Sequence, residues 1–533
     1  MHRNIFLNLR KECALQMKNT KSDIIKFMFC FAAVICFFTA LCVNTYAAQT
    51  EGKTGDVTWK YNASTYTLTI SGTGVTDNYE TSKLPEWITL YKSSLKYVVI
   101  ESGVTEVGNY TFANCTNLQT VTFASTVKSI GNYAFRGCTS LKNVTLPNNL
   151  TSIGTGAFYD SAITSITIPS KVTYIGSFAF ANNYSLTSVY YNAAKCTRAG
   201  SSEGPIFYNC PYISKAAIDN SVKLIPAYTF AFLSGISSID IPESVTDIGE
   251  YAFGKCTNLS IINFNAKSCE NAGSASYPAF SGCTKVITVN IGENVRVIPS
   301  YAFETLAQIK KITLPDSVTT IGDYAFYNCL LLEDIKIQDK VSSIGKMAFG
   351  NCVNIKTFNV PILLNHIGER AFYNCSSLTS LTLDETVTNI EPYAFEGTNK
   401  DVFTLNVIKY SYAHRYALAY GINASVTDNS GGTVVTPTTV TISPNYAYLD
   451  GKIIIRAKFS KNLTTECVHV AFYNLNGEVV EYMVVPLMGD SNDNAYIVTK
   501  DIPNAVRAKL LVWDSITTAK PISDFVEIEI TRP

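Results

Sequence analysis

Hydrophobic and polar positions repeat along most of the chain with a period of 23 residues. The most regular position is an aromatic anchor, usually within Tyr-Ala-Phe, and nine of the twelve intervals between successive anchors are 23 residues long. The anchors are Phe112, Phe135, Phe158, Phe180, Phe207, Phe230, Phe253, Phe280, Phe303, Phe326, Phe349, Phe372 and Phe395. The two intervals that end at Phe207 and Phe280 are expanded to 27 residues. Such a period is typical of repeat architectures, so the sequence predicts a stacked array.

Each unit carries two short apolar segments ahead of its anchor. In the unit that ends at Phe158, the first segment is Leu-x-x-Val-x-Leu, from Leu141 to Leu146, followed by Pro147. This alternation predicts a short strand with one buried face. The second segment is Leu-x-x-Ile-Gly, from Leu150 to Gly154, and it leads into the anchor. One unit buries too little apolar surface to offset the ordering of its backbone, so it must stack on its neighbours.

The pattern Leu-x-x-Val-x-Ile-Pro, Val-x-x-Ile-Gly, Ala-Phe-x-x-Cys resembles the BspA-type leucine-rich repeat of bacterial surface and secreted proteins. The resemblance covers residues 97–400 and implies a β-rich solenoid of about 13 repeats. It also implies a β-rich N-terminal cap over residues 48–96, which contain Val57-Thr-Trp-Lys-Tyr, and a C-terminal cap with a short helix over residues 401–426. Proteins of this kind act in adhesion and in interactions with a host or a microbial community, which is the function that the resemblance implies.

The last part of the chain loses the 23-residue period. Residues 427–439 are rich in Gly, Ser and Thr, so we interpret them as a linker. Residues 440–533 contain short alternating segments, which predict an all-β sandwich of immunoglobulin-like size. Within it, Ala508-Lys-Leu-Leu-Val-Trp-Asp-Ser resembles a module attached to secreted proteins of clostridial bacteria.

The N-terminus has the pattern of a secretory signal. Basic residues before residue 27 precede an apolar run from Phe27 to Val43, and Thr45-Tyr46-Ala47 supplies small residues for cleavage. We therefore expect residues 1–47 to be a signal peptide and the mature protein to be secreted or held at the cell surface as a monomer, without membrane insertion. The alternative is an uncleaved anchor, although the run falls short of the ~20 residues of a typical span.

Composition argues against nucleic acid as a partner and against catalysis. The 42 basic and 42 acidic side chains cancel, so no global field attracts a polyanion. Beside 32 Tyr and 28 Phe there are only four His, and none lies in a known catalytic or metal-binding motif. We expect no cofactor, no metal and no enzymatic activity, with an enzyme hidden in the C-terminal sandwich as the alternative.

Eight cysteines lie three residues after an anchor, at a position that also accepts Ser, Asn, Leu or Thr. This variation favours a small, partly buried slot occupied by thiols over a disulfide or metal site. The proposed structural ladder consists of Phe135, Phe158, Phe253, Phe326, Phe349, Phe372, Cys138, Cys256, Cys329, Cys352 and Cys375. Cys196 and Cys269 each lie 14 residues before a slot cysteine, so Cys196–Cys210 and Cys269–Cys283 are possible disulfides.

The outward-facing positions of the predicted strands form a polar strip with few charges. Thr and Asn there could simply suit an exposed strand, or the strip could bind an extended ligand by hydrogen bonds. Its distinctive residues are Tyr190, Lys311, Asp334 and Lys336, and the last three fall on consecutive strands. Our leading hypothesis is an exported, non-enzymatic protein that binds proteins or surfaces through its solenoid. The alternative is a carbohydrate-associated accessory protein of the cell wall or of polysaccharide utilisation. A stripe of tyrosines two residues before the anchors is interpreted as packing rather than as a glycan platform.

Overall fold

The computed structural model describes residues 50–409 and 411–427 and seven strands beyond them. The predicted signal peptide, residues 1–47, lies outside the described residues, as do residues 428–441, which include most of the predicted linker. The parallel strands wind into a β-solenoid of about 14 turns, so the predicted fold class is confirmed. One hydrophobic core runs through it, from Val57 in the first strands to Ala417 after the last repeat.

The N-terminal cap is an antiparallel hairpin extended by a third strand and covered by a short helix. Strands β1 (Glu51–Thr54), β2 (Val57–Asn62) and β3 (Thr67–Ser71) pair in order, and helix α1 (Glu86–Tyr91) follows. Alternate residues of β2 are buried, so Trp59 meets Trp87 of α1 with ring centroids 5.6 Å apart. Strand β3 pairs in parallel with the first repeat strand, so the cap covers the open end of the solenoid.

The first side of the solenoid is a parallel sheet of longer strands, whose alternate side chains point inward to the core and outward to solvent. We call the outward surface the binding face. Its strands are β5 (Tyr97–Ile100), β7 (Thr120–Phe123), β9 (Asn143–Val144), β11 (Ser165–Ile168), β13 (Ser188–Tyr191), β15 (Lys215–Ile218), β17 (Ser238–Ile241), β19 (Ile261–Phe264), β20 (Thr288–Ile291), β22 (Lys311–Thr313), β24 (Asp334–Lys336), β27 (Ser380–Leu383) and β29 (Thr404–Ile408).

The second side is formed by shorter strands, most of them two residues long, from the Val-x-x-Ile-Gly segments. They are β4 (Gly74–Val75), β6 (Val104–Val107), β8 (Ser129–Ile130), β10 (Ser152–Ile153), β12 (Tyr174–Ile175), β14 (Arg198–Ala199), β16 (Leu224–Ile225), β18 (Asp247–Ile248), β21 (Val297–Ile298), β23 (Thr320–Ile321), β25 (Ser343–Ile344), β26 (His366–Ile367) and β28 (Asn389–Ile390).

The third side is a ladder of backbone hydrogen bonds between the anchor turns of successive repeats, which we call the turn ladder. Between stacked repeats, three amides of one turn donate to the next, as Tyr324 N does to Lys346 O, Phe326 N to Ala348 O and Asn328 N to Gly350 O, at 2.8, 2.8 and 2.9 Å. The turn needs left-handed backbone at two positions, with φ 56° at Tyr324 and 61° at Asn328. Asn and Gly tolerate this conformation, which explains their frequency two residues after the anchor.

The anchor phenylalanines stack face to face along the core. Phe135 and Phe158 are parallel within 4°, with centroids 5.2 Å apart, and Phe349 and Phe372 repeat the arrangement at 5.6 Å. These rings are at most 1% exposed. Stacked aromatic pairs contribute roughly 0.5–1.5 kcal/mol beyond the burial of their area, so the anchors bind each repeat to the next.

The solenoid is interrupted by two breaks, each directly after an expanded repeat. The first break separates β15 from β17 and the second separates β20 from β22, because neither pair of strands is hydrogen-bonded. Within the described residues, the turn ladder has no hydrogen bond across either break. The anchor stack also changes, since Phe230 meets Tyr191 edge-on at 5.4 Å and Phe303 meets Phe264 edge-on at 5.7 Å. The array therefore consists of three stacked segments, although the second break is bridged on the second side, where Ser300 N donates to Glu270 O and Ala272 N donates to Ser300 O, both at 2.9 Å.

A proline explains where each break lies. At most repeats the second segment ends in Gly, and a Cβ at Gly154 would lie 2.5 Å from Asn132 N of the preceding repeat. Gly154 N also donates to Ile130 O at 2.8 Å. Pro226 and Pro299 take this position in the repeats after the two breaks. Proline lacks the N–H, so these repeats cannot form this hydrogen bond to the preceding repeat. Glu391, which takes the same position in the last repeat, keeps it, with Glu391 N 2.8 Å from Ile367 O.

The C-terminal cap is a short helix followed by a last strand. Helix α2 (Tyr412–Tyr420) is capped by Ser411, whose side chain accepts from His414 N, and β30 (Asn423–Thr427) pairs with β29. Tyr416 packs edge-on against the last anchor, Phe395, with centroids 5.9 Å apart. Thr427, at the start of the predicted linker, is the last residue of β30.

The strands described beyond residue 441 form two antiparallel sheets. One contains β31 (Ile442–Leu449), β32 (Lys452–Phe459) and β35 (Asn494–Val498), and the other contains β33 (Cys467–Tyr473), β34 (Val479–Pro486), β36 (Arg507–Trp513) and β37 (Val526–Glu529). Tyr473 donates a hydrogen bond to Ala419 O of α2, so the second sheet contacts the cap. The region is antiparallel β, and its immunoglobulin-like arrangement stays a prediction.

Candidate binding face

The structure brings Lys311, Asp334 and Lys336 together on the binding face. Lys311 lies directly opposite Asp334 in the register of β22 and β24, and Lys311 Nζ is 2.8 Å from Asp334 Oδ2. Their side chains are 65% and 59% exposed, so the ion pair contributes little stability. Lys336 is exposed and has no ion-pair partner within the described part of the chain. The cluster therefore presents one unpaired cation beside a neutralised pair.

Tyr190 does not join this cluster. It lies on β13, where Lys215 Nζ of the neighbouring strand β15 is 5.1 Å from the centroid of its ring. An ammonium group at this distance is attracted to the ring face by a cation–π interaction. The face therefore has two separate polar features, one beside each break, which sequence reasoning treated as one strip.

A cleft of about 600 Å³ opens on the binding face at the second break. β20 and β22 form its two sides, and among the described strands β20 pairs with β19 alone while β22 pairs with β24 alone. Ile287, 60% exposed, contributes an apolar patch at its mouth. The charged residues that line it are Glu293, Lys310, Lys311 and Asp316.

The facing edges of β20 and β22 carry peptide groups without ladder partners. Leu314 N donates to Lys336 O at 2.9 Å, toward β24, and neighbouring amides of a strand point in opposite directions, so Thr313 N points toward β20. A strand edge without a ladder partner can pair with an extended polypeptide. Cα atoms of β20 and β22 approach within 8 Å of each other, so a polypeptide that pairs between them has to move the two edges apart. The cleft therefore offers backbone hydrogen bonds together with charges of both signs.

The cysteine slot is a fully buried hydrogen-bond donor position, not the partly buried slot that the sequence suggested. Cys352 Sγ donates to Phe326 O of the preceding anchor at 3.2 Å, and Ser161 Oγ donates to Phe135 O in the same way at 3.0 Å. Cys352 is 0% exposed, and burial raises the pKa of its thiol well above the ordinary range. A shared need for a small donor explains why Cys, Ser and Asn exchange at this position.

The possible disulfides are not formed in the structure, where all four cysteines are free thiols. Cys196 and Cys269 take the place of Val in Val-x-x-Ile-Gly and are buried in the core. Cys196 Sγ donates to Arg198 O at 3.3 Å, whereas Cys210 Sγ donates to Phe180 O at 3.1 Å. The matched spacing of the two pairs thus reflects two positions of the repeat, each with its own hydrogen-bond partner.

The histidines of the described part of the chain lie on separate elements. His366 lies on β26 and His469 on β33, and no group of three metal-ligating side chains occurs among the residues described. Glu304, 7% exposed beside the second break, has a buried oxygen without a hydrogen-bond partner. Loss of solvation raises the pKa of Glu304 to about 7. Sequence reasoning missed this residue because one acidic side chain after an anchor gives no signal.

The fold defines a leucine-rich-repeat solenoid. The sequence pattern of the BspA type leucine rich repeat region matches residues 88–202, 203–330 and 273–402, in six copies. These residues make up more than half of the chain, so the protein belongs to the BspA-type leucine-rich repeat family. No curated protein matches the chain. Within the described residues, no helix is long and apolar enough to span a bilayer.

Several solved structures of leucine-rich repeat proteins are similar to this chain. A leucine-rich repeat protein from Bacteroides ovatus is 23% identical over 66% of this chain and 98% of its own, with a TM-score of 0.36. A leucine-rich repeat protein from Eubacterium ventriosum is 23% identical over 65% and 95%, with a TM-score of 0.31. A leucine rich cell surface protein from Faecalibacterium prausnitzii is 23% identical over 60% and 94%, with a TM-score of 0.23. These likenesses say nothing about the ligand of this chain.

Proposed function

We propose that the protein is an exported, non-enzymatic binding protein whose solenoid binds an extended segment of an extracellular protein. The observation that carries this proposal is the cleft at the second break, where β20 and β22 present unpaired edges beside Lys311, Asp334 and Lys336. Export is supported by the basic N-terminus followed by an apolar run and by Thr45-Tyr46-Ala47. Membership of a repeat family supports a binding role, because stacked repeats present long continuous surfaces.

Binding through this face has a direct mutational test. The exported protein is used to isolate its extracellular partner from a culture, and affinity for the purified partner is measured at low and high salt. Lys336→Glu should weaken binding and change its salt dependence without changing the melting temperature, because exposed charges act mainly on the association rate. The matched control is Thr145→Glu, on the same face but on a distant repeat. Unchanged affinity in both variants would show that the partner binds elsewhere.

Pairing with a strand edge can be tested separately. Thr313→Pro removes the N–H that points toward β20 and leaves the Leu314–Lys336 hydrogen bond to β24 in place. Thr313→Val keeps the N–H and the side-chain size, so it is the control. A selective loss of affinity in the proline variant supports strand pairing. A polysaccharide that binds this face in place of protein would support the carbohydrate alternative.

A further inference from the structure

The turn ladder has a direction, and its C-terminal end is left open. In every stacked segment, the anchor-turn amides donate toward the C-terminal neighbour. In the last interface, Phe372 N donates to Ala394 O and Asn374 N donates to Glu396 O, at 2.8 and 2.7 Å. The matching donors of the final repeat are Tyr393 N, Phe395 N and Gly397 N. Among the described residues, none of these three amides has an acceptor.

The N-terminal end of the ladder is closed, in contrast. At that end the first anchor turn has no preceding turn, so its carbonyls are the groups that need partners. Asn109 O accepts from Tyr79 N at 3.0 Å, and Thr111 O accepts from Trp87 Nε1 at 3.2 Å. The N-terminal cap thus provides donors for the first turn. The C-terminal cap provides no equivalent acceptors within the described residues, because Tyr416 of α2 accepts from Ala394 N, at 2.9 Å, and not from a ladder amide. Of the three residues, Phe395 is buried, Tyr393 is half-buried and Gly397 is exposed. A buried backbone donor without a partner, as at Phe395, is rare in folded proteins.

A cavity of about 290 Å³ takes the place of the missing next repeat. Tyr393, Phe395 and Gly397 all line it, so the open end of the turn ladder lies at the cavity. Its other walls are largely aromatic and come from Tyr373, Phe403, Tyr416 and Tyr420. Tyr416 and Tyr420 stack on each other, with centroids 4.4 Å apart, which holds the aromatic wall in place. The two breaks also interrupt the ladder, but their anchors Phe207 and Phe280 are fully buried in the continuous core.

The charges around the cavity favour an anion. The ladder hydrogen bonds all point the same way, so their dipoles add and leave partial positive charge on the last amides, as at the start of a helix. Lys400 lies at the cavity and adds a full positive charge. Glu396 also lines the cavity, but its carboxylate is paired with Arg370, with Arg370 Nε 2.8 Å from Glu396 Oε2. Arg370 is shared with Glu369, and Glu481 acts electrostatically on Tyr393 and Tyr420, so the preference for an anion comes from the open amides and Lys400.

We propose that this cavity is a second binding site, which takes the terminal carboxylate of a peptide. The carboxylate accepts hydrogen bonds from Phe395 N and its neighbours in the row of amides, in the manner of a backbone nest, and the last side chain of the peptide lies against the tyrosines. The site is separate from the binding face and does not depend on the function proposed for that face. Through this cavity the solenoid would bind a partner protein at the partner's C-terminus.

The test compares one peptide in two forms. N-acetyl-Ala-Ala-Phe with a free carboxylate should bind the full mature chain, and its C-terminal amide should bind about tenfold more weakly, because a hydrogen bond to a charged acceptor is stronger than one to a neutral acceptor. Hydrogen exchange followed by mass spectrometry should show slower exchange in the segment 393–398 on addition of the acid. Lys400→Gln should weaken binding of the acid about threefold or more. Lys340→Gln, at an exposed lysine outside the cavity, is the control and should change nothing.

Three results would overturn the proposal. The first is equal affinity of the acid and the amide, which removes the role of the carboxylate. The second is binding of the acid without slower exchange in segment 393–398, which places the peptide elsewhere. The third is tighter binding of glucuronate than of the peptide acid at this segment, which would make the cavity a site for acidic sugars.

Discussion

Replacing the anchor Phe253 by Ala tests whether the stacked rings stabilise the array. The ring is 0% exposed and lies between two parallel partners, Phe230 at 5.3 Å and Phe280 at 4.9 Å. Removing a buried Phe side chain costs roughly 3–5 kcal/mol through lost burial and the cavity left behind. The two stacked contacts, at about 0.5–1.5 kcal/mol each, place this variant in the upper part of that range.

Phe280→Ala is the matched control, because the second break leaves that ring one stacked partner. Phe280 is equally buried and stacks on Phe253, but its C-terminal neighbour Phe303 is turned to Phe264. Its loss should therefore be smaller by about one stacked pair, roughly 0.5–1.5 kcal/mol. Urea unfolding followed by far-ultraviolet circular dichroism gives the midpoints and slopes needed for both values. Equal losses, or a tolerated Phe253→Ala, would refute the link between stacking and stability.

Three further predictions concern the buried polar groups. The thiol of Cys375, whose pKa burial raises to about 12, should stay unlabelled by thiol reagents at pH 8 in the folded protein and react in denaturant, as peptide mapping would show. Cys352→Ser should cost less than about 1.5 kcal/mol in urea unfolding, whereas Cys352→Val should cost about 1–3 kcal/mol, because Phe326 O keeps only one of its two donors, Cys329 N, and the larger side chain must fit a filled slot. The raised pKa of Glu304 keeps it protonated in the folded protein while the unfolded chain ionises near pH 4.5, so stability should fall as pH rises from about 4.5 to 7. Glu304→Gln should remove that fall and raise the melting temperature at pH 8.

The fold could be predicted because buried apolar residues recur at the same inward-facing positions of every repeat. Phe135, Phe326 and their counterparts recur at a spacing that only stacking satisfies, and the register of the strands then follows. The grouping of Lys311 with Asp334 was also accessible, since consecutive parallel strands place equivalent positions side by side. The hydrogen-bonding role of the cysteine slot could not be predicted from the sequence. It depends on the direction of a backbone carbonyl of the preceding repeat, which a sequence pattern does not encode.

The breaks were within reach of the sequence, and their cause connects the repeat pattern to the candidate site. Gly stands at the end of the second segment because a side chain there would meet the backbone of the preceding repeat, as Gly154 shows against Asn132. A repeat with Pro at this position has lost the donor for regular stacking. Pro226 and Pro299 therefore mark the start of new segments, and each follows an expanded repeat. Since the strand edges of β15 and β17 and of β20 and β22 are unpaired where the segments meet, the two prolines mark two places where the backbone of this solenoid is open to a partner.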